Sequence, residues 1–211
     1  MDKKEFVAIA VLLLVFLAGI YFYPQLPQQV ASHWNAGGEV NGYMDKTWAV
    51  FLLPALAVVI YLLMTFLPYI MPNKDAILKF RHYFTIKLSM VLFISTLYLY
   101  TLLFSLGFQL SMNIVMPVLF GALFIVIGYS IRDVSHNYFL GIRTPWTLSD
   151  KTVWKKTHEF GSKTFMIAGV ACIISIIAGS NAFWVSMAAI MIGALAPVVY
   201  SYLEFRSLRK K

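Results

Sequence analysis

Few side chains in this 211-residue chain could bind a metal or catalyse a reaction, since it has nine acidic residues, four histidines and one cysteine. His33, Glu39 and Asp45 fall within one segment and could converge on a cation. Zinc sites, however, usually need three or four ligands that include closely spaced His or Cys pairs, and this segment has no such pair. Cys172 stands alone in an apolar run, so there is no disulfide framework. The sequence predicts neither a metal site nor a cofactor, and a cation site at His33 stays an alternative.

The histidines at positions 33 and 158 are the candidates for acid–base catalysis. No nucleophile that a histidine could activate lies near His158 in the sequence. We therefore predict that the protein is not an enzyme. A membrane-embedded enzyme that uses His33 or His158 is the weakest alternative.

Arg143 lies between Gly141 and Pro145, in a segment whose backbone is restricted. Its guanidinium offers five donors, which could cap carbonyl groups at a helix end or bind a lipid phosphate. We prefer this structural interpretation for Arg143 itself. The surrounding surface as a whole fits a docking site for a cytoplasmic regulator better.

The elements that position these residues are apolar helices. The chain is 60% hydrophobic and 12% charged, and it contains several runs long enough for the roughly 20 residues that a helix needs to cross a bilayer. The runs cover residues 6–23, 48–69, 83–108, 112–131, 165–179 and 183–203. None alternates with the two-residue period of a strand, so a barrel is disfavoured. The sequence predicts an all-α polytopic membrane protein with six transmembrane helices.

The basic residues predict the orientation of these helices. With an even number of helices, both termini and every second loop lie on the same side of the membrane. Of the 17 lysines and arginines, all except Lys46 fall on that side. We expect both termini, including Lys210 and Lys211, to be cytoplasmic and the protein to be multi-pass in a prokaryotic cytoplasmic membrane. This topology also explains the net charge of +8 through contact with membrane lipids, without direct nucleic-acid binding. We divide the chain into residues 1–110, with helices 1–3, and residues 111–211, with helices 4–6.

The extracytoplasmic loop, residues 24–47, should be compact and rich in turns, because Pro24 and Pro27 precede the turn signals Asn35 to Gly38 and Asn41-Gly42. Its His33-Trp34-Asn35 triplet has two interpretations. It forms a surface that contacts or excludes a peptide, or it anchors the loop, with Trp34 and Trp48 at headgroup depth and a backbone carbonyl bonded to His33.

The cytoplasmic loop, residues 132–163, has a break at Pro145, after which Thr147 and Asp150 resemble a capping box. The pattern beyond it predicts an amphipathic helix that lies along the inner leaflet and leads into helix 5. One face of that helix carries Trp154, Thr157, His158 and Gly161. We expect Trp146, Trp154 and His158 to press the helix onto the membrane, or to form a docking face.

No acidic or basic residue falls at the centre of a span, and we expect Lys87 and Glu204 to snorkel to the cytoplasmic side. An ion-coupled mechanism is therefore disfavoured. A small transporter or flippase-like channel without an ionisable relay stays an alternative. It would use the hydroxyl groups of helix 3, at Ser89, Ser95, Thr96, Thr101 and Ser105. Pro197 should leave the carbonyl of Gly193 without its helical donor.

The chain resembles the SdpI family of bacterial immunity and signal-transduction membrane proteins. The outer motif that carries the resemblance is Leu26-Pro27, His33, Trp34, Asn35, Gly38, Gly42, Tyr43 and Lys46. The inner motif follows Asn137 and consists of Gly141, Ile142, Arg143, Thr144, Pro145, Trp146, Thr147, Leu148 and Ser149, then Val153, Trp154, Thr157, His158 and Gly161.

The resemblance implies immunity to a secreted, membrane-active killing peptide outside the cell. It also implies signalling through a winged-helix transcriptional repressor that is held at the membrane inside. We therefore expect a non-enzymatic toxin-resistance protein of the cell membrane, and the two motifs are its candidate sites.

Overall fold

The computed structural model describes residues 3–71 and 74–209, so Lys210 and Lys211 lie outside the described residues. Its elements in chain order are α1 (Lys3–Phe22), β1 (Gln29–Trp34), β2 (Val40–Asp45), α2 (Lys46–Ile70), α3 (Lys74–Leu78), α4 (Tyr83–Ser105), α5 (Met112–Ile131), α6 (Pro145–Ser149), α7 (Lys151–Ile174) and α8 (Ala182–Leu208). Short 3₁₀ turns follow α1 at Tyr23–Gln25 and join α7 to α8 at Ser175–Asn181.

Five stretches of the described residues are long and apolar enough to cross a membrane. Four contain α1, α2, α4 and α5, and the fifth, Lys151–Leu208, contains both α7 and α8. Within the fifth stretch the backbone departs from helical geometry at Gly179, where φ is 57° and ψ is −118°. The all-α polytopic class is therefore confirmed, whereas the count of six spans and the cytoplasmic termini stay predictions.

The two helices of the fifth stretch pack antiparallel. Near their middle, the Thr164 hydroxyl donates to the Gly193 carbonyl over 3.0 Å. This is the carbonyl that Pro197 leaves without a helical donor, as the sequence predicted. At the ends of the two helices that are remote from Gly179, Lys156 pairs with Glu204. The bend at Gly179 therefore turns the chain back on itself.

The helices form two groups, because α1, α2 and α4 contact one another, as do α5, α7 and α8. Backbones meet most closely between α5 and α7. A Cβ at Gly169 would lie 2.6 Å from the carbonyl oxygen of Gly121, and one at Gly121 would lie 2.7 Å from that of Gly169. Because α4 and α5 also contact each other, the division into residues 1–110 and 111–211 stays a prediction.

The outer loop folds as an antiparallel β-hairpin, which the sequence analysis did not predict. Gln29 pairs with Asp45 at its base and Trp34 with Val40 near its tip, with an irregular register around His33. The Asn35 side-chain oxygen accepts hydrogen bonds from the backbone of Gly37 and Glu39, which closes the tip. The expectation of a compact turn is thus correct, but the flanking segments are strands.

Candidate functional site

A cavity with a volume of about 610 Å³ lies beneath β1. Helices α2, α4, α5 and α8 form its walls. Its lining, among the described residues, includes no Asp, Glu, Lys or Arg side chain. The apolar part of the lining consists mainly of Leu52, Leu53, Leu97, Met112, Met116, Phe120, Phe183, Met187 and Ile190. Such a cavity can take an apolar ligand, because displacing water from apolar walls is favourable.

The outer motif supplies the polar edge of this cavity. His33 and Asn35 both line it. The His33 Nδ1 atom lies 2.5 Å from the side-chain oxygen of Asn41, so this histidine is bonded to a side chain and not to the expected backbone carbonyl. Asn113, at the start of α5, also lines the cavity and donates to the Gly37 carbonyl over 3.0 Å. This bond joins the hairpin tip to α5.

Trp34 is anchored within the protein. Its ring packs against Tyr100 and Phe104, with centroid distances of 5.6 and 5.5 Å, and its Nε1 atom is buried without a hydrogen-bond partner among the described residues. Trp48, by contrast, is 68% exposed on the first turn of α2. An aromatic cluster therefore holds Trp34, and its predicted position at headgroup depth stays a prediction.

The other outer-motif residues shape the hairpin. Gly38 has a φ of 84°, and a Cβ there would lie 3.1 Å from the Asn113 side chain. A Cβ at Gly42 would lie 2.9 Å from that of His33. Lys46 stacks over the Tyr23 ring at 4.7 Å, whereas Tyr43 is 62% exposed. Only His33, Trp34 and Asn35 of this motif line the cavity.

His158 organises the inner motif from a fully buried position. Its Nδ1 lies 2.8 Å from the carbonyl of Trp154, which can only accept, so Nδ1 carries the proton. Its Nε2 then accepts a hydrogen bond from the backbone of Ile142 over 2.9 Å. Both nitrogens are therefore used by a neutral ring that fixes the loop to α7.

The capping box of the inner loop begins three residues earlier than predicted, at Thr144. Thr144 and Thr147 cap α6 reciprocally, whereas Asp150 is the N-cap of α7 and accepts from the backbone of Thr152 and Val153. The Thr144 hydroxyl also lies 3.0 Å from that of Ser201 on α8. The box predicted at Thr147 and Asp150 is therefore wrong, because each of these residues caps a different helix.

Asn137 and Arg143 hold the loop that precedes α6. The Asn137 oxygen accepts from the backbone of Phe139 and Leu140, and its amide donates to the carbonyls of Ser135 and Leu140. Arg143 donates to the Tyr138 carbonyl over 2.6 Å. The expected carbonyl-capping role of Arg143 is correct in kind, but the carbonyl belongs to a loop and not to a helix end.

The predicted amphipathic surface helix is wrong in position. Residues 151–163 are the first part of the continuous helix α7, and its Trp154–His158 face packs into the protein. Trp154 is 3% exposed and donates to the Val134 carbonyl. Trp146 packs against Tyr202 of α8 at 5.1 Å. Trp154 and His158 therefore contact neither lipid nor a partner.

Two further residues of this motif are buried on the same face of α7. Thr157 is fully buried, and Gly161 leaves room for Ile142, whose side chain occupies the place of a Cβ. The inner motif therefore describes a loop that is interlocked with α7 and α8. Its predicted role as a binding site stays a prediction.

Replacing Gly141 by alanine should destabilise the inner loop strongly. Its φ is 119°, which strains any other residue, and the new Cβ would contact His158 Nε2. Strain and the lost Ile142 hydrogen bond together predict a loss of about 3 kcal/mol, measured by thermal unfolding in detergent. Gly107→Ala is the matched control, since its φ is 103° with no atom within 4 Å of the new Cβ. Equal losses for the two variants would contradict the role given to His158.

Sequence reasoning missed a buried ion pair near the end of the bundle opposite the hairpin. Lys87 is 3% exposed, lies 2.6 Å from Glu5 and also donates to the Thr65 hydroxyl. Tyr61 donates to the other Glu5 oxygen over 2.9 Å. Lys87 therefore does not snorkel as predicted. Glu204 does not snorkel freely either, because Lys156 holds it at 2.6 Å.

The cation site weighed at His33 has no support in the described residues, where no three His, Cys, Asp or Glu side chains come together. Asp45 instead caps α2 by accepting from the backbone of Thr47. Glu39 accepts from the Asn35 amide. These two carboxylates are therefore used within the hairpin and its junction with α2.

The apolar helices and the two motifs define a multi-pass membrane protein of the all-α class. The family model for the SdpI/YfhL protein family matches residues 133–201, and the model for a domain of unknown function, DUF1648, matches residues 10–58. The chain is 27% identical over 207 residues to the immunity protein SdpI of Bacillus subtilis strain 168, and the match covers 98% of each chain. No solved structure matched the chain significantly.

The resemblance to the SdpI family is therefore confirmed by a family model and by a relative that matches along nearly the whole chain. The expectation of an SdpI-like immunity membrane protein in the cell membrane is confirmed at this level. One model covers most of α1, the hairpin and the first half of α2, and the other covers the inner loop, α7 and most of α8. The cavity lies between these two matched regions and the helices α4 and α5.

Proposed function

We propose that this SdpI-like protein protects its cell from a secreted, membrane-active peptide by binding an apolar part of that peptide in the cavity beneath β1. The cavity itself is the observation that carries the proposal. It lies at the hairpin end of the bundle, which the distribution of basic residues predicts to face outside the cell. A peptide from outside would meet this end first.

The chemistry of the cavity fits an apolar segment of a peptide. Its volume of about 610 Å³ is within the range of ligand pockets, and its walls are mostly side chains of Leu, Met, Ile and Phe. Methionines such as Met112, Met116 and Met187 adapt their shape to different ligands, since the side chain is flexible and polarisable. Binding there would remove the segment that a killing peptide needs for insertion into lipid.

The proposed mechanism is not enzymatic. His33 is bonded to Asn41, and the walls beyond the polar edge are apolar. Catalysis of peptide hydrolysis would need an activated nucleophile and an oxyanion site, and sequestration needs neither. Of the hydroxyl side chains that line the cavity, those of Ser186 and Thr101 donate to carbonyls of their own helices.

Signalling to a winged-helix repressor remains part of the proposal without a site of its own. The inner motif is largely buried, which leaves exposed residues such as Tyr138 and Arg143 for a cytoplasmic partner. The transporter stays an alternative. Ser89 and Thr101 on α4 donate to carbonyls of their own helix, whereas the hydroxyls of Ser95 and Ser105 are buried without a partner among the described residues.

Filling the cavity should abolish protection. The gene is deleted in its native host, and the deletion strain is challenged with culture fluid of the parent and with a panel of membrane-active bacterial peptides. We expect increased killing, which the wild-type gene reverses and Ser186→Phe does not. A tenfold loss of protection would match about 1.4 kcal/mol of lost binding.

Ala188→Phe is the matched control for this experiment. It adds the same ring two residues further along α8, where Ala188 is exposed and Ser186 faces the cavity. Equal membrane levels of all variants are verified by immunoblotting. Full protection by Ser186→Phe, or unchanged killing of the deletion strain, would contradict the proposal.

A further inference from the structure

The cavity beneath β1 is open at its side. Leu52 on α2 and Met187 on α8 both line it, yet they are 47% and 41% exposed. Their exposed surfaces continue into the apolar outer faces of the same two helices, which include Leu56 and Met191. In a multi-pass membrane protein those faces contact lipid. The cavity is therefore continuous with the lipid-covered surface.

The depth of the cavity matches one leaflet of the bilayer. Its lining on α5 extends from Met112, the first residue of that helix, to Phe120. Its lining on α8 extends from Phe183, the second residue, to Ile190. Eight residues of helix span about 12 Å, and one leaflet contributes about 15 Å of hydrocarbon. The cavity thus lies beside the acyl chains of the leaflet at the hairpin end.

The lining changes from polar to apolar with depth, as a phospholipid does from its ester groups to its acyl chains. His33, Asn35 and Asn113 belong to the hairpin and to the first turn of α5, so they lie at the shallow end. Leu97, Phe120 and Ile190 lie deeper along their helices. Polar donors therefore occur where ester groups lie in a bilayer, and apolar side chains occur where acyl chains lie.

We propose that an acyl chain of an outer-leaflet phospholipid enters this cavity between α2 and α8, with its ester groups beside His33, Asn35 and Asn113. The inference rests on the proposed function only in that both use the same cavity. A killing peptide would then displace the chain and arrive through the membrane, already inserted in the leaflet.

The indole of Trp34 reports on this site, because the five tryptophans all lie in the described part of the chain and Trp34 alone among them lines the cavity. The purified full-length protein is reconstituted in phosphatidylglycerol–phosphatidylcholine vesicles whose chains carry bromine near the ester, at mid-chain or near the methyl end. The contribution of Trp34 is the difference in fluorescence between the wild type and Trp34→Phe. We expect at least twofold stronger quenching of this contribution by bromine on the upper half of the chain than by aqueous iodide.

Ser186→Phe tests whether the quencher lies inside the cavity. The added ring should reduce quenching of Trp34 by at least half, and Ala188→Phe on the lipid-facing side of α8 should leave it unchanged. If Ser186→Phe does not fold, Ile190→Phe takes its place, since Ile190 lines the same wall of the cavity one turn further along α8. No peptide is present, so the result is independent of the immunity assay.

Two outcomes would overturn the inference. Quenching of Trp34 by iodide and not by brominated lipid would show a water-filled cavity that opens past the hairpin. Quenching by brominated lipid that Ser186→Phe leaves unchanged would show that lipid touches Trp34 only from outside the cavity.

Discussion

Gly169→Ala is expected to separate α5 from α7 and to destabilise the protein by about 3 kcal/mol or more, at the upper end of overpacking effects. The added methyl would lie 2.6 Å from the Gly121 carbonyl oxygen, 2.7 Å from Ile125 Cγ1 and 2.9 Å from the Ile125 backbone nitrogen. Two of these are backbone atoms, which cannot move away without shifting the whole helix. Small residues permit such contacts between membrane helices, where packing replaces the hydrophobic effect as the main source of stability. Unfolding in mixed SDS micelles measures the loss.

Ala188→Val is the control for this variant, because it adds two methyl groups to an exposed position on α8. We expect a change below about 0.5 kcal/mol, as is usual for surface positions. Gly121→Ala should reproduce the large effect from the other helix, since a Cβ there would lie 2.7 Å from the Gly169 carbonyl oxygen. A small loss for both glycine variants would show that α5 and α7 can separate at little cost.

The apolar helices could be predicted from the sequence because run length is a direct signal of membrane helices. The consequence of Pro197 was also predictable, since proline always leaves the carbonyl four residues earlier without its donor. The donor that replaces it, Thr164, was not predictable, because it lies 29 residues away on another helix.

The hairpin could not be predicted because its strands lack the usual pattern. Gln29–Trp34 has no regular alternation of apolar and polar side chains, and each strand has a single β-branched residue, with Gly42 inside Val40–Asp45. Buried contacts of Val30 and Ala31 stabilise the strands instead. The turn signals around Asn35 were sufficient to locate the tip and insufficient to reveal the pairing.

The inner motif was misplaced because one pattern suits two environments. Trp154, Thr157, His158 and Gly161 share a helix face whether that face meets lipid or protein. The contacts that decide between them, such as the hydrogen bond from the Ile142 backbone to His158, join the helix to a loop that has no regular pattern. The misplaced capping box has a similar cause, since threonines and an aspartate at spacings of three offer two registers.

Glu5→Gln should destabilise the protein by about 3 kcal/mol, because it leaves the charge of a buried lysine without its counterion. Lys87 is 3% exposed, and its remaining hydrogen-bond partner, the Thr65 hydroxyl, is neutral. The double variant Glu5→Gln, Lys87→Met should recover most of this loss, since no unpaired charge is then buried. Unfolding in mixed SDS micelles of the wild type, both single variants and the double variant gives the coupling energy.

The pair of Lys156 with Glu204 provides a control of the same geometry. Both pairs have an N–O distance of 2.6 Å, and in both a tyrosine hydroxyl also contacts the glutamate, Tyr61 at Glu5 and Tyr200 at Glu204. The lysines differ, since Lys156 is 47% exposed and can turn to solvent when its partner is removed. Glu204→Gln should therefore cost less than about 1 kcal/mol, as is typical of exposed pairs. Equal losses of stability for Glu5→Gln and Glu204→Gln would show that burial of the lysine does not determine how much the Glu5–Lys87 pair contributes.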